Sequence, residues 1–168
     1  MVEYDIWAQV ITALFAFGVG YGLYWLQQFR DKRDKKSKSV DSMISEIKDT
    51  VSQLEKEKEP IDEIEKTMTF KLNFLLIQTT SFDTMIYSGV FTLFDVKLQN
   101  VIAGFYGLVK EANTINLKII ETITTTRDTV NTLYVENVRY LQKQLFEAYS
   151  KLKTTAPQLI QFLEKERK

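Results

Sequence analysis

Residues 6 to 29, IWAQVITALFAFGVGYGLYWLQQF, run for 24 positions without a charged side chain, and no other feature constrains the chain as strongly. A helix rises about 1.5 Å per residue, so this stretch reaches about 36 Å and crosses a hydrocarbon core of about 30 Å with some tilt. Trp7 stands near one end and Tyr21, Tyr24 and Trp25 near the other, where amphipathic rings settle at headgroup level. A cleaved signal peptide fits poorly: the segment begins acidic, runs long, and ends in Gln27, Gln28 and a cationic cluster. A helix of a soluble core has no need of bracketing aromatics.

The flanks set a direction. Glu3 and Asp5 precede the span, whereas Arg30, Lys32, Arg33, Lys35, Lys36 and Lys38 follow it. The positive-inside bias predicts a single-pass protein of the cell membrane, with residues 1–5 outside and everything after residue 29 in the cytoplasm. The run RDKRDKKSK lacks the interleaved aromatics of a single-strand binding platform, and its position faces it to anionic lipid; nucleic acid is not an expected partner. Within the span, Gly18 with Gly22 and Ala16 with Gly20 form two small-xxx-small pairs on different faces, the spacing that admits a second helix closely in lipid.

Net charge is zero, with 22 cations and 22 acids, but the zero is an average over opposed segments. Six cations against two acids fill residues 30–38, and nine acids against four cations fill 39–66. The chain has no His and no Cys, which excludes Cys/His zinc sites, Ser-His-Asp and Cys-His nucleophiles, thiol redox centres and disulfides. No phosphate-cradling glycine motif follows a strand pattern, and the acidic stretch EKEKEPIDEIE lacks the ligand order of an EF-hand. No cofactor, metal or small-molecule substrate is therefore expected, and the chain reads as non-enzymatic.

Beyond the junction, Val40, Ile44, Ile47, Val51 and Leu54 repeat at steps of four and three, with Met43 widening the stripe. This is a narrow coiled-coil-like seam that calls for a partner helix, from this chain or from a second copy. Nothing between Arg30 and Glu59 is Gly or Pro, so one helix is expected to leave the membrane and continue to about residue 58, ended by Pro60. TMTFKLNF at 67–74 alternates apolar and polar, predicting a short extended or β segment over 67–77. Ser81 is expected to cap a short helix stopped by Gly89, and Asp95 a long one with its apolar stripe at Leu98, Val101, Ile102, Phe105, Leu108, Val109, Ala112, Ile115, Ile119 and Ile123. Gly104 and Gly107 are expected to admit a large neighbour. A corner in the threonine cluster 122–132 leads into a return arm through Leu133, Tyr134, Val138, Leu141, Leu145, Ala148, Tyr149 and Leu152. Thr155-Ala-Pro157-Gln158 is expected to open a separate closing helix, with proline in its first turn.

The expected architecture is mainly α: a tip (1–5), a transmembrane helix (6–29), a basic junction and stem (30–59), and an antiparallel cytoplasmic helical bundle (60–168). One span followed by a charged helix resembles the layout of the peripheral-stalk b subunit of a rotary ATP synthase. The aromatic stripes and the extended segment depart from an unbroken alanine-rich stalk, so no residue is carried over. The functional expectation is a membrane-anchored scaffold or regulatory interaction module, with the bilayer and a protein partner or a second copy as its partners. Alternatives are a small accessory subunit of a larger membrane complex, or a tethered hydrolase using carboxylates and a divalent cation.

Overall fold

The structure is a computed structural model that describes residues 2–57, 75–125 and 132–167. The described residues are mainly helical and include no strand: α1 (Val2–Lys56), α2 (Thr80–Tyr87), a 3-10 turn (Val90–Leu93), α3 (Val96–Thr125) and α4 (Thr132–Glu166). They divide into two units, Met1–Lys38 and Ser39–Lys168.

The first unit is the N-terminal part of α1, which is long and apolar enough to cross a membrane, and no part of that apolar window is buried. Its aromatic rings stack along the helix, Phe17 on Tyr21 at 6.5 Å and Trp25 on Phe29 at 6.0 Å.

The second unit begins where α1 turns its apolar residues inward. Val40, Met43, Ile44, Ile47 and Leu54 are buried, and Val51 is partly so, in one cluster with Met85, Phe94, Ile102, Val109, Leu152 and Leu159 among others. The seam is thus filled by the chain's own helices. On α3 the buried face is Leu98, Ile102, Phe105, Tyr106, Val109, Ala112, Ile115, Asn116 and Ile119, while Val101 is turned outward. On α4 it is Tyr134, Val138, Leu145, Ala148, Tyr149 and Leu152, with Leu133 exposed. Burying a Leu, Ile or Val side chain stabilises by roughly 1.5–3 kcal/mol, so this shared face is what holds the helices together. α3 and α4 pack along each other. Six residues lie between the two described ends; they reach about 25 Å at most, too short to return the chain along a helix of about 45 Å, so the pair is antiparallel.

Local chemistry explains the helix ends. The Leu98 amide donates to Asp95 Oδ1 at 2.8 Å, which caps α3 as Asp95 predicts. Gly89 adopts φ 71° and stops α2 in the left-handed region that a side chain disfavours. α2 starts one residue before Ser81 rather than after it, and its second amide, that of Ser81, is capped from a distance by Glu46 Oε2 at 2.7 Å.

Two further expectations are corrected. Pro157 opens no separate helix: it lies inside α4. The buried stripe Leu152, Ala156, Leu159, Leu163 continues at helical steps straight through it. The ring itself faces solvent, where water satisfies the carbonyl that proline leaves without a donor. Gly104 and Gly107 admit no large neighbour either, since a Cβ built on each has nothing within 4 Å and both are exposed. Of the extended segment, 67–74 and the Pro60 terminator lie outside the described residues. Residues 75–79 are neither helix nor strand.

Candidate functional site

The polar groups that reach across the second unit converge on α1 and α3, at two places that short-range sequence pattern does not mark. The first is Glu46. Its backbone sits on the half-exposed flank of the α1 seam, and the seam's burial fixes its direction. Tyr106, on the buried face of α3, donates its hydroxyl to Glu46 Oε1 at 2.7 Å, and the Ser81 amide takes Oε2. The Tyr106 ring stacks on Phe82 of α2, with centroids 4.4 Å apart and planes 11° from parallel. Ser42 and Ser81 share a hydroxyl bond at 2.9 Å beside it. One carboxylate therefore joins three helices, and because it is charged each bond is worth roughly twice a neutral one. Burial first, and then the bond to Glu46, raise the Tyr106 phenol well above its ordinary value, so it stays a donor at any physiological pH.

The second place is an asparagine clasp on the extended segment. The Ile77 amide donates to Asn113 Oδ1 at 2.9 Å, and Asn113 Nδ2 donates back to the Ile77 carbonyl at 2.9 Å. One turn along, Asn116 Nδ2 donates to the Leu75 carbonyl at 2.8 Å. A primary amide presents the same donor and acceptor pair as a backbone residue, so α3 serves as a sheet edge for a segment that has no strand beside it among the described residues. Ile77 is buried as a result.

A polar groove of about 280 Å³ opens next to Glu46, walled by Ser42, Ser45, Asp49, Thr50 and Gln53 of α1 and by Gln78, Thr80 and Ser81. Both oxygens of Glu46 are committed to bonds that hold the fold, so the groove offers no free buried base for proton transfer. Among the described residues no three Asp or Glu side chains gather as metal ligands would. Tyr149, pushed up to about 12 by burial and then by the charge of Glu57, is likewise a neutral core group near pH 7. Gln142 is 5 % exposed and its Oε1 accepts nothing, an isolated orphan on α4.

The residues singled out in the sequence fall into three sets. Val40, Ile44, Ile47, Val51 and Leu54 sit in the core described above. Trp7, Tyr24 and Trp25 are exposed, as are Arg30, Lys32, Arg33 and Lys35, while Lys36 is half-buried. Gly18, Gly20 and Gly22 have open space at their Cβ positions. Ala16 shares a shallow concavity with Ala8, Gln9, Thr12 and Ala13, which puts it on the face of Gly20 and away from Gly18 and Gly22 by helical rotation. Steps of four from Ala8 through Thr12 and Ala16 to Gly20 were there to be read; Thr12 counts as small because its hydroxyl folds back onto the Ala8 carbonyl at 2.8 Å. Glu46, Tyr106, Asn113 and Asn116 had no such signal, for their partners lie 35 to 60 residues away. No known protein family, curated protein or solved structure matches the chain.

Proposed function

We propose that this chain is a single-pass membrane protein whose helical body, an antiparallel bundle, acts as a scaffold or regulatory interaction module on the cytoplasmic face, without catalysing a reaction. One observation carries the reading: a single helix displays its apolar residues outward over residues 7–29 and buries them from Val40 on. Phe15 and Phe17, each 75 % exposed, would be a severe liability in water and are at home in hydrocarbon. The six cations after Phe29 favour the orientation with the body inside. Supporting the non-enzymatic part, both carboxylate oxygens of Glu46 are engaged in joining helices.

A second reading, an accessory subunit packed on another protein's span, draws on the face Ala8, Thr12, Ala16 and Gly20, where a neighbouring helix could approach closely. Crosslinking in native membranes followed by blue-native electrophoresis separates the two. A scaffold gives a homo-oligomer or a specific cytoplasmic partner and keeps its migration when Ala16 is replaced by Leu. An accessory subunit migrates with a large complex and leaves it on that substitution. A protein that stays monomeric and uncrosslinked overturns both, and alkaline carbonate extraction that frees it from membranes overturns the anchor.

A further inference from the structure

The corner between α2 and α3 is built unlike the rest of the second unit. Within eleven residues it exposes Ile86 (42 %), Tyr87 (90 %), Leu93 (41 %) and Val96 (70 %). The neighbouring Val90 and Phe94 point inward and are almost fully buried. The corner is therefore firmly seated, and its outward side chains are held there by the inward ones. Bonds from Gly89 to Ile86, from Thr92 to Gly89 and from Phe94 to Phe91 fix the backbone between them.

Its place in the fold identifies what it faces. The extended segment runs antiparallel to α3, with Leu75 beside Asn116, Ile77 beside Asn113 and Phe82 on Tyr106. Continuing through α2 brings the chain to the N-terminal end of α3. The same end receives the start of the second unit, because Ser42 bonds Ser81 and Asp41 pairs with Arg167 at 3.0 Å, at the far end of α4. The corner thus lies at the end of the body where the chain arrives from the basic junction. Nine residues, 30–38, lie between Phe29 and Ser39, about 15 Å of helix from one to the other. Lys97 and Lys165 stand exposed at this end, with Glu164 exposed beside Lys165, while Asp95 caps α3 and Asp41 holds Arg167.

We propose that the α2–α3 corner, Ile86, Tyr87, Leu93 and Val96 with Lys97, is a membrane-contact surface that seats the body on the anionic headgroup layer of the leaflet from which α1 emerges. The inference rests on the reading of α1 as a span. An amphipathic ring at the tip, aliphatic groups around it and cations beside it are the composition that partitions into that layer. Such a contact, attracted by negative lipid, fixes which face of the body looks into the cytoplasm and is open to a partner.

The native chain has no cysteine, so single cysteines can be labelled without background. Phe17→Cys, Tyr87→Cys, Val96→Cys and Lys118→Cys, all at exposed positions, are each coupled to an environment-sensitive fluorophore in the full-length protein. The proteins are reconstituted in vesicles of equal parts phosphatidylcholine and phosphatidylglycerol, some carrying lipid with a nitroxide quencher near the headgroup and some carrying lipid with one near the end of the acyl chain. The expected result is strong quenching at position 17 by the acyl-chain nitroxide, strong quenching at 87 and 96 by the headgroup nitroxide, and none at 118. Unquenched labels at 87 and 96 with a quenched label at 17 overturn the corner while the anchor stands. An unquenched label at 17 overturns the anchor and the corner with it. Blue-shifted but unquenched emission at 87 and 96 means that protein covers the corner, a second copy if the shift follows protein concentration, and also overturns the proposal.

Discussion

Helix α1 makes two opposite uses of the same kind of residue. From Trp7 to Phe29 its large aromatic and aliphatic side chains are exposed; from Val40 to Leu54 residues of similar apolarity are sealed against α2, α3 and α4. Helix propensity does not distinguish the two halves, and neither does total apolar content. The pattern does. The first half is apolar all round, whereas the second is apolar on one stripe with Asp41, Lys48, Asp49 and Glu55 on the others. An all-round surface needs a continuous apolar solvent, while a stripe needs one matching surface.

That contrast can be broken most forcefully by a cavity on each side of it. Ile102→Ala, at a fully buried position, is expected to lower the stability of the body by about 3–4 kcal/mol. Phe17→Ala, which removes a still larger side chain, is expected to leave it unchanged. Urea denaturation of the full-length protein in detergent, followed by circular dichroism, reads both, and equal losses would erase the distinction between the two regions.

Next in size is the polar joint that only the second region possesses. Glu46→Ala strands the Tyr106 hydroxyl and the Ser81 amide, and a loss of about 3 kcal/mol is expected for two charge-assisted bonds. Combined with Tyr106→Phe the losses should fall well short of additive, because one bond is shared. Strict additivity would show that the carboxylate does not couple α1 to α3.

A smaller effect of opposite sign comes from the exposed glycines of α3. Gly104→Ala and Gly107→Ala meet no atom within 4 Å, so each should stabilise the body by about 1 kcal/mol in the same denaturation experiment. A loss at either would mean that a neighbour does pack there.

The least visible effect near neutral pH is alkaline. The Tyr149 phenol sits at about 12 against an ordinary 10.0, and Tyr106 is raised further in the same direction. The unfolded chain loses those protons first, so their contribution is intact below pH 10 and is lost as pH rises through 12. Stability measured across that window should fall less steeply for Tyr149→Phe than for the native chain, and parallel slopes would contradict the raised value.

What could be read from the sequence, and what could not, follows from range. The stripe at 40–54, the cap at Asp95 and the stop at Gly89 each depend on residues within a turn or two, and local spacing exposes them. Glu46 looked like one acid among many because its partners are 35 and 60 positions away. Asn113 and Asn116 sit three apart on a helix, as unremarkable polar residues do; only the folded chain lays an extended backbone beside them. Pro157 misled for the converse reason. Its local rule is strong, yet the buried stripe from Leu152 to Leu163 is worth more than the one hydrogen bond that proline removes. Gly104 and Gly107 misled because a missing side chain reports either a close neighbour or none.

The pairing of Asp41 with Arg167 has a bearing on how the protein comes into being. It ties the first turn of the body to its last, so the residues that close the core, Leu159 and Leu163, leave the ribosome long after the stripe they cover. At about 5–20 residues per second, the interval between the emergence of Asp41 and of Arg167 is about 6–25 s. Throughout it the stripe at Val40 to Leu54 is made but uncovered. The core of this body therefore closes only once α4 has emerged, and loss of even the last two turns of α4 is expected to leave that stripe exposed to chaperones rather than to produce a smaller folded protein.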